Sequence, residues 1–322
     1  MRAGGLAGNV PPAGRGAQPP RPRAPEGLMS TVDSHLAGVP GSPRFAARWL
    51  DLREPADAAA RAAELLGPLR GYLEHVRRPG EVPAFCDLGC GTGSMGRWLA
   101  ARLGGPQRWI MCDRDPALLA RVGARMPRRS ADGGRIEVTT EGRDITRLSS
   151  GDLAGMSLVC GSALLDLLTE DEVHRLVSAC AEAACPVLWA LSVVGEVVLE
   201  PAESLDAEFA AAFNAHQRRS EGGRRLLGPD AVDVAAAAFE GHGARVLTRS
   251  SPWRLGAGQA GLAEQWLLGW VAAACAQRPA LARFSERYVG RRLVQCRSGA
   301  LRVTVGHRDL LALPCSSHSV PL

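Results

Sequence analysis

Phe85-Cys86-Asp87-Leu88-Gly89-Cys90-Gly91-Thr92-Gly93-Ser94-Met95-Gly96 is the stretch on which the reading of this chain turns. A short apolar run, Ala84 to Cys86, ends in an acid and a burst of glycine; an amphipathic stretch follows, Met95 to Leu103. That order predicts strand, tight turn, helix. Glycine lets the backbone turn sharply and approach a ligand with no Cβ in the way. A helix start offers free N–H groups to a polar ligand. The stretch reads as a nucleotide-type cofactor turn after a first β-strand.

Gly91-Thr92-Gly93-Ser94-Met95-Gly96 also fits the dinucleotide fingerprint G-x-G-x-x-G. Two acids shift the reading. Asp87 stands two residues before the first glycine, where it suits a cofactor carrying a cationic amino group and would repel a pyrophosphate. Asp113 closes the next apolar run, Trp109-Ile110-Met111-Cys112, where a carboxylate can accept both ribose hydroxyls. On these residues the chain resembles the class I S-adenosylmethionine-dependent methyltransferases. Their first motif is (D/E)-x-G-x-G-x-G, followed by an acid at the end of strand two. The resemblance implies S-adenosyl-L-methionine as cofactor, with Asp87, Gly89, Gly91, Gly93 and Asp113 in its site.

All 38 basic residues are arginine, because the sequence has no lysine. That excludes a Walker A loop, a Schiff-base lysine and the Tyr-x-x-x-Lys pair of short-chain dehydrogenases. The arginines are scattered, with no long basic run interleaved with aromatics, so no nucleic-acid partner is expected. The nine cysteines include no C-x-x-C pair; they read as small core residues in a reducing cytosol, and no metal is expected. The longest charge-free apolar stretch, Trp266 to Ala276, is too short to span a membrane. A cytoplasmic protein acting on a small molecule is the expectation.

Residues 1 to about 42, rich in Gly, Pro, Ala and Arg, read as a disordered tail without a secretory h-region, and Met29 is an alternative start. Residues 43–80 read as an N-terminal helical cap, helical from Arg44 to Val76 with a Pro break at Pro55. Arg53 there is either a surface or structural residue or a partner for the cofactor carboxylate. Strands are expected near Arg108–Cys112, Ile136–Thr139, Ser157–Cys160, Val187–Leu191, Arg245–Thr248 and Leu301–Val305. Thr169 and Glu172 form a capping box.

Strand–helix–strand repetition demands parallel pairing and right-handed crossovers, with ligands beyond the carboxyl ends of the strands. That puts Asp87, Asp113, Asp144, Ser162 and Ser192 on one rim. The resemblance implies a doubly wound, Rossmann-like α/β sheet of seven strands in the order 3-2-1-4-5-7-6. It also implies that Asp144 binds the adenine amino group and Ile145 supplies a backbone N–H; Asp144 reads equally as a loop turn residue. The domain would span 81–322, with helical insertions at 204–227 and 256–298. In the first of these, Phe209, Phe213 and His216 share a helix face: an apolar pocket wall with one polar handle, or a docking stripe. His216, His307 and Asp166 are the candidates for a general base, needed only if the acceptor nucleophile is protonated. The reaction implied is methyl transfer to an O, N or C nucleophile (EC 2.1.1.-). The alternatives are an NAD(P)-dependent oxidoreductase, which leaves Asp87 unexplained, and a non-catalytic cofactor-binding protein.

Overall fold

The computed structural model describes Met1 and residues 46–315. Apart from Met1, the tail at residues 1–42 lies outside the described residues. Five parallel strands form the first half of a sheet: β1 (Ala84–Leu88), β2 (Gln107–Asp113), β3 (Ile136–Gly142), β4 (Leu158–Ser162) and β5 (Val187–Glu200). β1 is buried along its whole length, as a central parallel strand covered on both faces must be. Between these strands run α3 (Ser94–Ala100), α4 (Pro116–Arg125) and α5 (Glu170–Glu182). Sequence signals fix their starts. Asp115 accepts the Ala117 N–H with Pro116 in the first turn of α4. Thr169 and Glu172 close a reciprocal capping box on α5.

The second half adds α6 (Asp206–Gln217), a two-stranded hairpin of β6 (Ser220–Glu221) and β7 (Arg224–Arg225), α7 (Ala231–Gly241), β8 (Arg245–Ser250), β9 (Trp253–Leu255), α8 (Ala260–Gln277), α9 (Ala282–Arg297) and β10 (Arg302–Leu313). The sheet order is β3-β2-β1-β4-β5-β10-β8, so β10 corresponds to strand 7 and β8 to strand 6 of the expected order 3-2-1-4-5-7-6. The sheet has eight strands and not seven, because β9 also pairs with β10.

Two strands run much further than expected. β5 continues to Glu200 and β10 to Leu313, antiparallel to each other, with irregularities at Val305/His307 and Arg308/Leu310. His307-Arg308-Asp309, expected beyond the last strand, lie inside it. β5 thus continues beyond Ala190, which pairs with Ser162 at the end of β4. On this extension a second apolar cluster gathers, with Phe209 of α6, Trp266 and Trp270 of α8, Tyr288 of α9 and Trp253 of β9. Leu262, Trp266, Trp270 and Ala274 are all buried there, as the stripe along α8 predicts.

The expected single N-terminal helix is two: α1 (Ala47–Ala60) and α2 (Leu66–Val76), joined by a short 3-10 turn. Pro55 does not break the helix; it sits exposed inside α1. The break comes at Arg61, whose ψ is 132°. There the next N–H, of Ala62, goes to Asp309 Oδ2 at 2.8 Å and leaves the helical ladder. α1 packs Trp49, Leu52 and Ala56 against the second cluster. Ion pairs tie it to α3 and α4: Glu54 to Arg97 and Arg125, and Asp51 to Arg121 and Arg125. Among the described residues no helix is long and apolar enough to cross a membrane.

Candidate functional site

The turn after β1 is built as its composition requires. Gly89, Gly91 and Gly93 all have positive φ (60°, 56° and 88°), a region that costs a residue with a Cβ. Two acids hold the turn from either side. Asp113 Oδ2 accepts the Gly91 N–H at 2.8 Å, and its Oδ1 accepts the Asp115 N–H at 2.9 Å. Asp87 Oδ2 accepts the Gly96 N–H of α3 at 3.0 Å. Asp87 is wholly buried, and burial pushes its carboxyl up to about 7, opposed by the Gly96 N–H and the Arg61 charge.

Over this turn lies one face of α1. Leu50, Arg53, Asp57 and Arg61, spaced three or four apart, all line the cleft. Leu50 closes on Gly91, where an added Cβ would meet its Cδ1 at 3.0 Å. Arg61 enters at the helix break and is only 4% exposed. Its Nη2 donates to Ser94 Oγ at 3.0 Å and Ser162 Oγ at 3.2 Å. Its Nε and Nη1 are buried with no partner, as is Asp87 Oδ1. Burial lowers the Arg61 pKa, while the charges of Asp57, Asp87 and Asp309 act to hold the proton. A buried polar atom without a partner costs about 1–3 kcal/mol, more for charged groups.

Of the residues singled out from sequence, Asp87, Gly89, Gly91, Asp113, Asp144, Ile145 and Ser162 line one cleft. Gly93 does not; it sits behind the turn, where a Cβ would meet Arg97 Nη1 at 3.1 Å. Asp144 also serves its own turn: Oδ1 accepts the Thr146 N–H at 3.0 Å and its hydroxyl at 2.7 Å. Burial acts to raise its pKa, but these bonds together with the Arg147 and Arg114 charges lower it on balance. None of the three base candidates lines the cleft. His216 ends α6 in the insertion, half-buried. His307 is buried against Trp253, ring centroids 5.3 Å apart, and burial, with Arg53 nearby, pushes its pKa down to about 3. Asp166 lies half-buried in a 3-10 turn between the lining residues Leu164 and Leu167. Burial raises its pKa and the Arg53 charge opposes that. Phe209 is no pocket wall: it is fully buried, stacked on Tyr288 at 4.6 Å and tilted against Trp270 at 5.8 Å.

Residues 85–186 match the family model described as a methyltransferase domain. This segment is a methyltransferase domain. No curated protein sequence matches the chain. Among solved structures, it is similar to the cyclopropane synthase MmaA2 from Mycobacterium tuberculosis at 13% identity, TM-score 0.37, over 77% of this chain and 83% of that one. It is also similar to magnesium protoporphyrin IX methyltransferase (ChlM) from Synechocystis PCC 6803 at 14% identity, TM-score 0.37, over 64% and 77%.

The cofactor of such a methyltransferase domain is S-adenosyl-L-methionine, and the orphaned atoms of this cleft fit it. A cation with two unused N–H-bearing nitrogens and an anion with one unused oxygen act on each other's charge at the glycine turn. Together they complement an α-amino acid, which carries one carboxylate and one ammonium. Arg61 was not legible as a site residue, because nothing local marks the helix break that brings it in.

Proposed function

We propose that this chain is a methyltransferase (EC 2.1.1.-) that moves the methyl group of S-adenosylmethionine to a small-molecule acceptor. The observation that carries the reading is the unsatisfied pair Arg61 and Asp87 beside the glycine turn. In this reading Arg61 holds the cofactor carboxylate and Asp87 faces its ammonium. Gly89 and Gly91 allow close approach, and Ser162 orients Arg61 from the end of β4. Asp113 keeps lone pairs for the ribose hydroxyls after bonding two backbone N–H groups. Asp144 and the Ile145 N–H hold the adenine edge. The bound cofactor supplies an electrophilic methyl on a sulfonium.

The remaining work is alignment of the two reactants, where most of the gain in such transfers lies. α1 roofs the cleft and keeps water from it. Where the acceptor nucleophile carries a proton, Asp166 is the base candidate set closest to the cleft wall, between the lining residues Leu164 and Leu167, and would have to turn toward the acceptor to take it. Burial raises the Asp166 pKa, which strengthens it as a base, whereas burial and the Arg53 charge lower that of His307. In the same reading residues 43–80 cap a domain of residues 81–322 that carries insertions at 204–227 and 256–298. Incubation with methyl-tritiated S-adenosylmethionine and a crude extract tests the function. Label is expected in the small-molecule fraction; label confined to protein or nucleic acid would contradict the acceptor class.

A further inference from the structure

Arg53 and Asp57 stand one helical turn apart on the cleft face of α1. Arg53 Nε donates to both Asp57 oxygens, at 3.2 and 2.9 Å. The guanidinium carbon lies 4.9 Å from the centroid of the Trp253 ring. Trp253 in turn donates its Nε1–H to Asp57 Oδ1 at 3.0 Å. Asp57 and Trp253 are both buried. The guanidinium is thus fixed on its Nε side and on one face, within the second apolar cluster.

Its other edge is unused. Among the described residues nothing bonds Nη1 or Nη2 of Arg53, and the side chain is only 13% exposed. A pre-set, weakly hydrated fork with two parallel N–H donors matches a planar anion bidentately. Leu164, Leu167 and Leu168 line the same cleft. Arg61 is taken by Ser94 and Ser162 on one side and, in the reading above, by the cofactor carboxylate on the other.

We propose that Arg53 is the acceptor-anchoring residue and that the acceptor is a small organic acid, its carboxylate on the Arg53 fork and its apolar body against Leu164, Leu167 and Leu168. This rests on the methyltransferase reading and names the substrate class it left open. A monoanion is favoured over a phosphate ester. Five aspartates line the cleft, Asp57, Asp87, Asp113, Asp115 and Asp144, against four arginines, Arg53, Arg61, Arg114 and Arg143. Arg53 is itself paired with Asp57, and Arg143 with Glu141 and Asp152, so the cleft offers no surplus of positive charge for a dianion. Asp57 and Trp253 are positioning residues that act through the guanidinium.

The test is calorimetry on the full chain saturated with S-adenosylhomocysteine. Matched probes are benzoate and benzamide, 3-phenylpropionate and 3-phenylpropionamide, hexanoate and hexanamide, with phenyl phosphate as the dianion. At least one acid is expected to bind tenfold or more tightly than its amide, and more tightly than phenyl phosphate. Arg53→Gln should erase the acid–amide difference and leave S-adenosylhomocysteine affinity within twofold; Arg53→Lys should restore it in part. No acid preference in any pair, or tighter binding of phenyl phosphate, overturns the proposal on the unmodified protein alone. Loss of S-adenosylhomocysteine affinity in Arg53→Gln, with its melting temperature unchanged, would instead give Arg53 to the cofactor. Failure of the unmodified protein to bind S-adenosylhomocysteine at all would sink the methyltransferase reading itself.

Discussion

Asp309, near the end of the chain, accepts the backbone N–H of Ala62 at 2.8 Å. Through that bond the irregular stretch of β10 sets where α1 stops, and hence where Arg61 enters the cleft. The same carboxylate accepts the Leu191 N–H at 2.7 Å and the Ser251 hydroxyl at 2.5 Å. Three segments far apart in sequence meet on one buried side chain. Burial raises the Asp309 pKa, and its three donors and the Arg61 charge oppose that rise.

Asp309→Ala leaves these donors buried and unpaired. Each costs about 1–3 kcal/mol, so urea denaturation should report a loss of several kcal/mol. Cofactor affinity should fall too, because Arg61 loses its fixed entry. Lower stability with unchanged S-adenosylhomocysteine affinity would uncouple Asp309 from the site.

Arg61→Met bears on both binding and folding. Removing this cation leaves the buried Asp87 and Asp309 without the charge that opposes their pKa rise, so apo stability should fall, by up to about 3–5 kcal/mol. S-adenosylhomocysteine affinity should drop by about 1.5–3 kcal/mol, the scale of a charged hydrogen bond. Calorimetry paired with thermal melting reads both. Reduced stability with full affinity would mean that Arg61 is structural.

Asp87 gives a pH signature. Its carboxyl sits at about 7 in the fold against an ordinary 3.8. Between those values the folded chain holds the proton and the unfolded chain does not. Stability therefore falls as pH rises from 3.8 to 7, and this contribution levels off above. A ligand ammonium beside Asp87 favours the carboxylate, so binding S-adenosylhomocysteine at pH 7 should release roughly half a proton. Calorimetry in phosphate and in Tris measures that release. Asp87→Asn should abolish it; proton uptake by the unmodified protein would reverse the account.

Phe209→Ala should cost about 3–5 kcal/mol of stability, the usual range for emptying a buried aromatic site. Its ring packs on Tyr288 and Trp270 and does not line the cleft. S-adenosylhomocysteine affinity of the folded fraction should stay within twofold. A specific loss of binding without a stability loss would restore the insertion as a pocket wall.

The cofactor half was legible because its signals are local. Apolar runs ending in Asp87 and Asp113, with glycines between, determine strand, turn and rim by themselves. The long reach of β5 and β10 was harder. Ser192 and Gly195 interrupt the apolar run of β5, and His307-Arg308-Asp309 looks like a loop. Strand pairing across the rim overrides both. Arg61 was out of reach for a stronger reason. Its position depends on a hydrogen bond between residues 247 apart, while the local signal for a break, Pro55, points to the wrong residue.

The most direct test compares S-adenosylhomocysteine with 5′-methylthioadenosine, which keeps the adenosine and lacks the amino-acid end, by calorimetry on the unmodified chain, with NADH as control. If Arg61 and Asp87 read that end, S-adenosylhomocysteine should bind roughly a hundredfold or more tightly, as losing two charged hydrogen bonds implies, and NADH should not bind. Equal affinity for the two thioethers, or binding of NADH alone, would contradict the account.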